Sequence, residues 1–202
     1  MKLPLYELRI NEGSQSIVDA IALVEEPAIE SDFLAFSKDA HREMFASNDE
    51  RMELLGAAMV PDMKIFRKDP DGTEYNVFFS KDTIREIAQV YFKKGFQSNL
   101  NLHHTATPAK SFIFQSYIVD SEKGMTAPKG LDLPDGTWVV GVKVTDPKVW
   151  GEIKAGKVKG FSVEGLFEFF EPAMNTTNPD EQELMNALKL LNHLLQNKAK
   201  SK

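Results

Sequence analysis

No cysteine occurs among the 202 residues, so nucleophilic chemistry falls to a hydroxyl that needs a base, and four histidines make the search for that base short. His41 lies in a charged stretch and His193 in an apolar-periodic tail, whereas His103 and His104 close the segment Asn99-Leu100-Asn101-Leu102-His103-His104, which reads as a strand. Alternation along a strand puts Leu100, Leu102 and His104 on one face and Asn99, Asn101 and His103 on the other. His104 is therefore expected to be partly buried, where desolvation would keep an imidazole neutral and able to accept a proton. The serine to pair with it is Ser162, in Gly160-Phe161-Ser162-Val163-Glu164-Gly165-Leu166-Phe167-Glu168. This stretch alternates, so Phe161, Val163, Phe167 and Phe169 should face the core while Ser162, Glu164 and Glu168 face away, leaving the Ser162 hydroxyl accessible. Taken singly, each residue also has a plainer reading. Two adjacent histidines make a strand-end polar cluster, and Gly-x-Ser here lacks the Gly-x that follows the serine in a nucleophile elbow.

The elements that must position these groups are readable in part. Leu5–Ile10 reads as a first strand and Ser16–Val24 as a second buried apolar segment, Leu54–Val60 and Met63–Arg67 as strands, and Asp69-Pro70-Asp71-Gly72 as a turn before a strand over Glu74–Phe79. Ser80 stands where a helix N-cap should be, with Ile84, Ile87, Ala88 and Tyr91 at helical spacing up to Gly95. Ser111–Val119 and Trp138–Val144 have strand composition, and Asp146 followed by Pro147 opens a short helix that closes near Gly156. The charged stretch Ser37–Arg51 reads as a linker or loop, so residues 1–171 form one domain with an exposed segment near 37–53. Beyond it, 172–202 read as a linker and an amphipathic C-terminal helix carrying Leu184, Leu188, Leu191 and Leu195, which leaves a homo-oligomer open.

Composition narrows the function. A formal charge of −6, from 30 acidic and 24 basic residues, argues against the basic face that nucleic acid requires. The longest apolar runs fall far short of the roughly 20 residues that span a bilayer, so no membrane partner is expected and the protein reads as soluble and made in the cytoplasm. Thiolate metal sites are excluded, no phosphate-binding glycine loop is visible, and no cofactor or metal is expected.

Five segments in order, Ala22-Leu23-Val24-Glu25-Glu26-Pro27-Ala28-Ile29, Val60-Pro61-Asp62-Met63-Lys64-Ile65-Phe66-Arg67, Asn101-Leu102-His103-His104, Gly136-Thr137-Trp138-Val139-Val140-Gly141-Val142 and Gly160–Gly165, resemble the prohead (head-maturation) serine proteases of tailed bacteriophages. These are distantly similar to herpesvirus assemblins. The resemblance covers about Leu23–Glu171 and implies an α+β fold: a closed β-barrel flanked by helices, with a histidine on one strand and a serine on a later one. By motif position these are His104 as base and Ser162 as nucleophile. The implied substrates are scaffold and major capsid proteins and the protease itself, in a prohead assembled in the bacterial cytoplasm. The herpesvirus pattern of a second histidine after the serine is not matched, since only His193 follows Ser162. An acidic orienter fits better, and Glu164 stands first: it shares the Ser162 face about 6.6 Å along the strand, at ~3.3 Å per residue. Glu168, Asp120 and His103 stay open as third members, and the oxyanion-hole donors cannot be named from sequence. Two rival readings stand beside this one: an inactive protease-fold component associated with the capsid, and a metal-dependent hydrolase using His103 and His104. Adjacent strand histidines point to opposite faces, which disfavours the second.

Overall fold

The computed structural model describes residues 3–11, 17–25, 34–36 and 51–170, with 34–36 described by backbone alone. The chain divides into units Met1–Phe170 and Glu171–Lys202, and everything below belongs to the first. The expected tail helix and most of the charged linker lie outside the described residues.

Eleven strands are described: β1 (Leu5–Arg9), β2 (Val18–Val24), β3 (Leu34–Phe36), β4 (Glu53–Met59), β5 (Ile65–Lys68), β6 (Glu74–Phe78), β7 (Leu100–Leu102), β8 (Ser111–Ile118), β9 (Trp138–Val144), β10 (Gly160–Gly165) and β11 (Glu168–Phe170). Two α-helices join them, α1 (Lys81–Lys93) and α2 (Pro147–Lys154). Both helices begin as their sequences require. The Ser80 hydroxyl accepts from Thr83 N at 3.3 Å, and Asp146 accepts from Lys148 N at 2.8 Å with Pro147 in the first turn.

The expected closed barrel does not form. The strands make three sheets, in the orders β11-β1-β6-β5, β10-β2-β7 and β3-β4-β9-β8, and the architecture is mostly β. Closure needs a ladder that returns to its first strand. Here β10 packs beside β4 without pairing to it, and the chain then leaves its sheet: a bulge at Glu164/Gly165 and an unpaired Leu166–Phe167 deliver β11 to β1 in a different sheet. The long alternating strand expected from Gly160 to Phe169 is thus two strands. Phe161 is fully buried and Phe167 partly so, but Phe169 is 56% exposed, against expectation.

Between the sheets, Trp138, Tyr91, Phe161, Ile21, Leu23, Leu54, Ile84 and Ile87 form the innermost core. One face of α1 reaches β2 and β9, where the Tyr91 and Trp138 rings meet edge to face at 5.5 Å. Glu7 of β1 is a buried acid within this frame. It receives Arg9 Nη2 at 2.5 Å and Thr83 Oγ1 at 3.3 Å, and Arg9 in turn lies 4.7 Å over the Phe170 ring, tying β11 to β1. The Arg9 hydrogen bond, joined by those of Ser80 and Thr83, outweighs burial and holds the Glu7 carboxyl below its ordinary value of 4.5. A carboxyl lowered on folding stabilises the native state above its unfolded pKa and loses that contribution as pH falls through the folded value. Thermal denaturation from pH 7 to pH 3 should therefore show a loss of stability beginning below about pH 4.5 that is visibly smaller in Glu7→Gln.

Candidate active site

Ser162, Ala22 and Asn101 form one row across the three-stranded sheet, because Ser162 pairs with Ala22 on β2 and Ala22 with Asn101 on β7. Glu164 pairs with Ala20 one step along the same face. The opposite face carries Phe161, Ile21, Leu23 and Leu100, all buried in the core. Burying one face fixes the register, and the register aims Ser162 and Glu164 at the other. Only methyl groups stand between β10 and β7 on that side, at Ala20 and Ala22. Over them Glu164 Oε1 reaches Asn101 Nδ2, which donates at 2.6 Å.

The same carboxylate oxygen lies 2.8 Å from His104 Nδ1. A carboxylate only accepts, so the contact places the ring proton on Nδ1 in the neutral imidazole and leaves Nε2 as the acceptor. This is the tautomer a general base for a hydroxyl requires. Ser162, His104 and Glu164 all line one cleft of about 560 Å³. The hydrogen bond of His104 is to Glu164 and not to Ser162; in ligand-free enzymes the bond between nucleophile and base is often long and tightens only with substrate bound.

Two sequence expectations for this site need correction. Strand β7 ends at Leu102, and His103 and His104 both adopt the left-handed conformation, with φ of 51° and 56°. They form a turn, and His104 is an exposed residue with 43% of its side chain accessible, so the partial burial expected of it is absent. Two non-glycine residues in this region cost on the order of 1 kcal/mol or more each. The turn is held by His103 N to Leu23 O at 3.0 Å, by Thr105 N and Oγ1 to Leu102 O at 3.0 and 2.7 Å, and by Leu102 N to Thr107 O at 3.0 Å. Ser162 departs in the other direction. It faces away from the core as expected, yet the cleft walls cover it to 9% exposure. The hydroxyl lies covered in the cleft, and the base is exposed along it.

The alternative third members lie elsewhere. Asp120 caps a short 3-10 turn and binds Lys123, Glu168 stands opposite Arg9 on β11, and neither lines the cleft. His103 bonds through its backbone to Leu23 and is likewise not part of the cleft wall. The two histidines do not alternate across a strand, so that argument against a shared metal does not apply; among the described residues, however, no three acidic or histidine side chains are grouped to hold an ion. Asn101 was missed by sequence reasoning. Its signal is modest: a polar residue between Leu100 and Leu102, on the face opposite the core.

The chain is 24% identical over 165 residues to the Bacillus subtilis (strain 168) protein named "Uncharacterized protein YqbD", covering 71% of this chain and 49% of that protein. The chain thus spans about half the length of that relative. No solved structure matches it significantly, so the likeness to herpesvirus assemblins finds no support there. A family model described as "Putative phage serine protease XkdF" matches residues 41–171, which hold all of β4–β10, His104, Ser162 and Glu164. The chain belongs to this family of phage serine proteases.

Proposed function

We propose that the protein is a serine endopeptidase that cleaves scaffold and major capsid proteins, and itself, during bacteriophage head maturation, with Ser162 as nucleophile, His104 as base and Glu164 as orienter. The observation that carries this reading is the 2.8 Å contact of His104 Nδ1 with Glu164 Oε1 in the cleft that Ser162 lines.

In the reaction, Ser162 Oγ bonds to the scissile carbonyl carbon while its proton passes to His104 Nε2. Collapse of the tetrahedral intermediate breaks the C–N bond as His104 returns that proton to the leaving amine, leaving an ester on Ser162. Water then attacks the ester, its proton goes to His104 and on to Ser162 Oγ, and a carboxylate is released. Glu164 stays ionised throughout, holding the ring and stabilising the imidazolium that forms twice per turnover. Asn101 helps hold the carboxylate through its 2.6 Å bond to the same oxygen.

The head-maturation role is supported by membership of a phage protease family together with the segments that resemble prohead proteases. Cytoplasmic assembly into the prohead belongs to the same proposal, as does a homo-oligomer; no helix among the described residues is long and apolar enough to cross a membrane. The test is co-expression with the scaffold and major capsid proteins of the same phage. Those proteins, and the protease at stretches that the sequence reads as linkers, such as 37–51 and 171–178, should shorten at defined bonds with the parent chain and stay intact with Ser162→Ala. Identical masses in both would support the rival reading of a capsid-associated component without activity.

A further inference from the structure

Outside the three proposed catalytic side chains, the cleft wall is apolar with one exception. Leu8, Met59, Val77, Phe79, Phe167 and Phe169 supply much of it, and the Tyr75 hydroxyl is already committed to Asp69 Oδ1 at 2.8 Å. The exception is Arg67. It lies two residues after Ile65 on β5, so both side chains leave the strand on the same side, and both line the cleft. Ile65 is 8% exposed and Arg67 is exposed, which puts the aliphatic side chain in the floor and the guanidinium at the edge.

Nothing among the described residues neutralises that charge. Arg67 Nη1 donates to Phe66 O at 3.0 Å, using one of five guanidinium donors, and no carboxylate pairs with it. The nearby acids are engaged elsewhere, Glu74 with Lys68 at 2.8 Å and Asp69 with Tyr75. An apolar trough with a hydroxyl nucleophile and one open guanidinium fits an extended peptide that is mostly apolar and carries one carboxylate.

We propose that Arg67 is a specificity residue: the cleft takes a peptide segment with a large apolar side chain seated against the Phe79, Phe167 and Phe169 wall and an aspartate or glutamate paired with Arg67. This rests on the serine-protease reading. Planar guanidinium recognises carboxylate through two parallel bonds, so an acidic residue at one fixed offset from the cut should be preferred over its amide or a lysine.

Two measurements separate this inference from the reading beneath it. A synthetic library of random decapeptides is incubated with the parent, Ser162→Ala, Arg67→Gln and Arg67→Glu chains, and cut sites are read by mass spectrometry. The parent should enrich a large apolar residue and, at one offset, an acidic residue by about two- to fivefold, the range of an exposed ion pair. Arg67→Gln should erase the acidic preference and Arg67→Glu should turn it toward lysine and arginine. Cleavage that depends on Ser162 but shows no acidic preference, or keeps it in Arg67→Glu, overturns the inference and leaves the protease reading standing. Absence of Ser162-dependent cleavage counts against the protease reading instead. The second measurement needs no turnover: fluorescein-labelled apolar peptides differing only in Glu against Lys are titrated onto Ser162→Ala and onto the double variant with Arg67→Glu. The glutamate peptide should bind the first about tenfold more tightly and lose that advantage on the second. Equal affinities for both peptides on Ser162→Ala would overturn the inference.

Discussion

Replacing His104 by alanine should lower peptide hydrolysis by about 10⁴- to 10⁶-fold, and Glu164→Gln by about 10⁴-fold, with KM changed far less than kcat. The two numbers differ because the residues do different things. In the proposed mechanism His104 Nε2 takes the proton in every turnover, whereas Glu164 sets which ring nitrogen carries a proton at the start. Glutamine keeps the size of Glu164, but its amide nitrogen can face Nδ1 and drive the ring into the other tautomer, with the proton on Nε2. That ring cannot accept from a hydroxyl. Because Asn101 Nδ2 and His104 Nδ1 both donate to the same Glu164 oxygen, Glu164→Gln disturbs two hydrogen bonds at once. The His104–Glu164 pair is partly exposed, at 43% and 31% of the side chains, so its contribution to stability is small. Circular dichroism and melting should thus be nearly unchanged in both variants while single-turnover rates collapse. A Glu164→Gln enzyme of parental rate would remove Glu164 from the mechanism and leave Ser162 with His104 alone.

Gly165→Ala is expected to be the most disruptive single-methyl change near the site. A Cβ there would stand 2.3 Å from Ile17 O and 2.8 Å from Val18 Cα, both backbone atoms that cannot swing aside. Gly165 ends β10 at the bulge, and Leu166 N donates to Ile17 O at 3.0 Å just beyond it. The methyl must push β2 and β10 apart where the row of Ser162 and Glu164 is anchored. Overpacking of this kind costs about 1–3 kcal/mol, which lowers Tm by about 3–10 °C for a domain of this size. Gly151→Ala is the matched control. It lies within α2, nothing stands within 4 Å of its Cβ, and it should raise stability by about 0.5–1 kcal/mol. Differential scanning calorimetry of the pair measures both.

Elements with local signals were readable from the sequence. Trp138–Val144 is a strand over the residues its composition indicates, and Ser80 and Asp146 cap helices because short polar side chains before an apolar-periodic run have few other roles. What failed was non-local. Alternation from Gly160 to Phe169 persists across the point where the chain changes sheets, since Phe169 meets Tyr6 and Tyr75 on β1 and β6, a contact set by partners some 90 or more residues away. The closed barrel failed for the same reason: which edges pair is decided by tertiary register, not by any segment's pattern. For His104, the strand reading ran two residues too far. The signal against it lay downstream, in Thr105, Thr107 and Pro108, which build the turn. The three proposed site residues came from side-chain chemistry, two-residue spacing and the resemblance to prohead proteases, and all three line one cleft.

The central claim, that Ser162 is a nucleophile activated by His104 and Glu164, is tested most directly by covalent labelling. The protein is treated with a fluorophosphonate, alone and together with the scaffold and capsid proteins of its phage, and the modified residue is located by peptide mass mapping. Attack of an activated hydroxyl on phosphorus forms an O–P bond and expels fluoride. The account predicts one label per chain, on Ser162, formed far more slowly in His104→Ala and Glu164→Gln and absent in Ser162→Ala. Labelling of another serine, or a Ser162 that stays unmodified under both conditions, would contradict it.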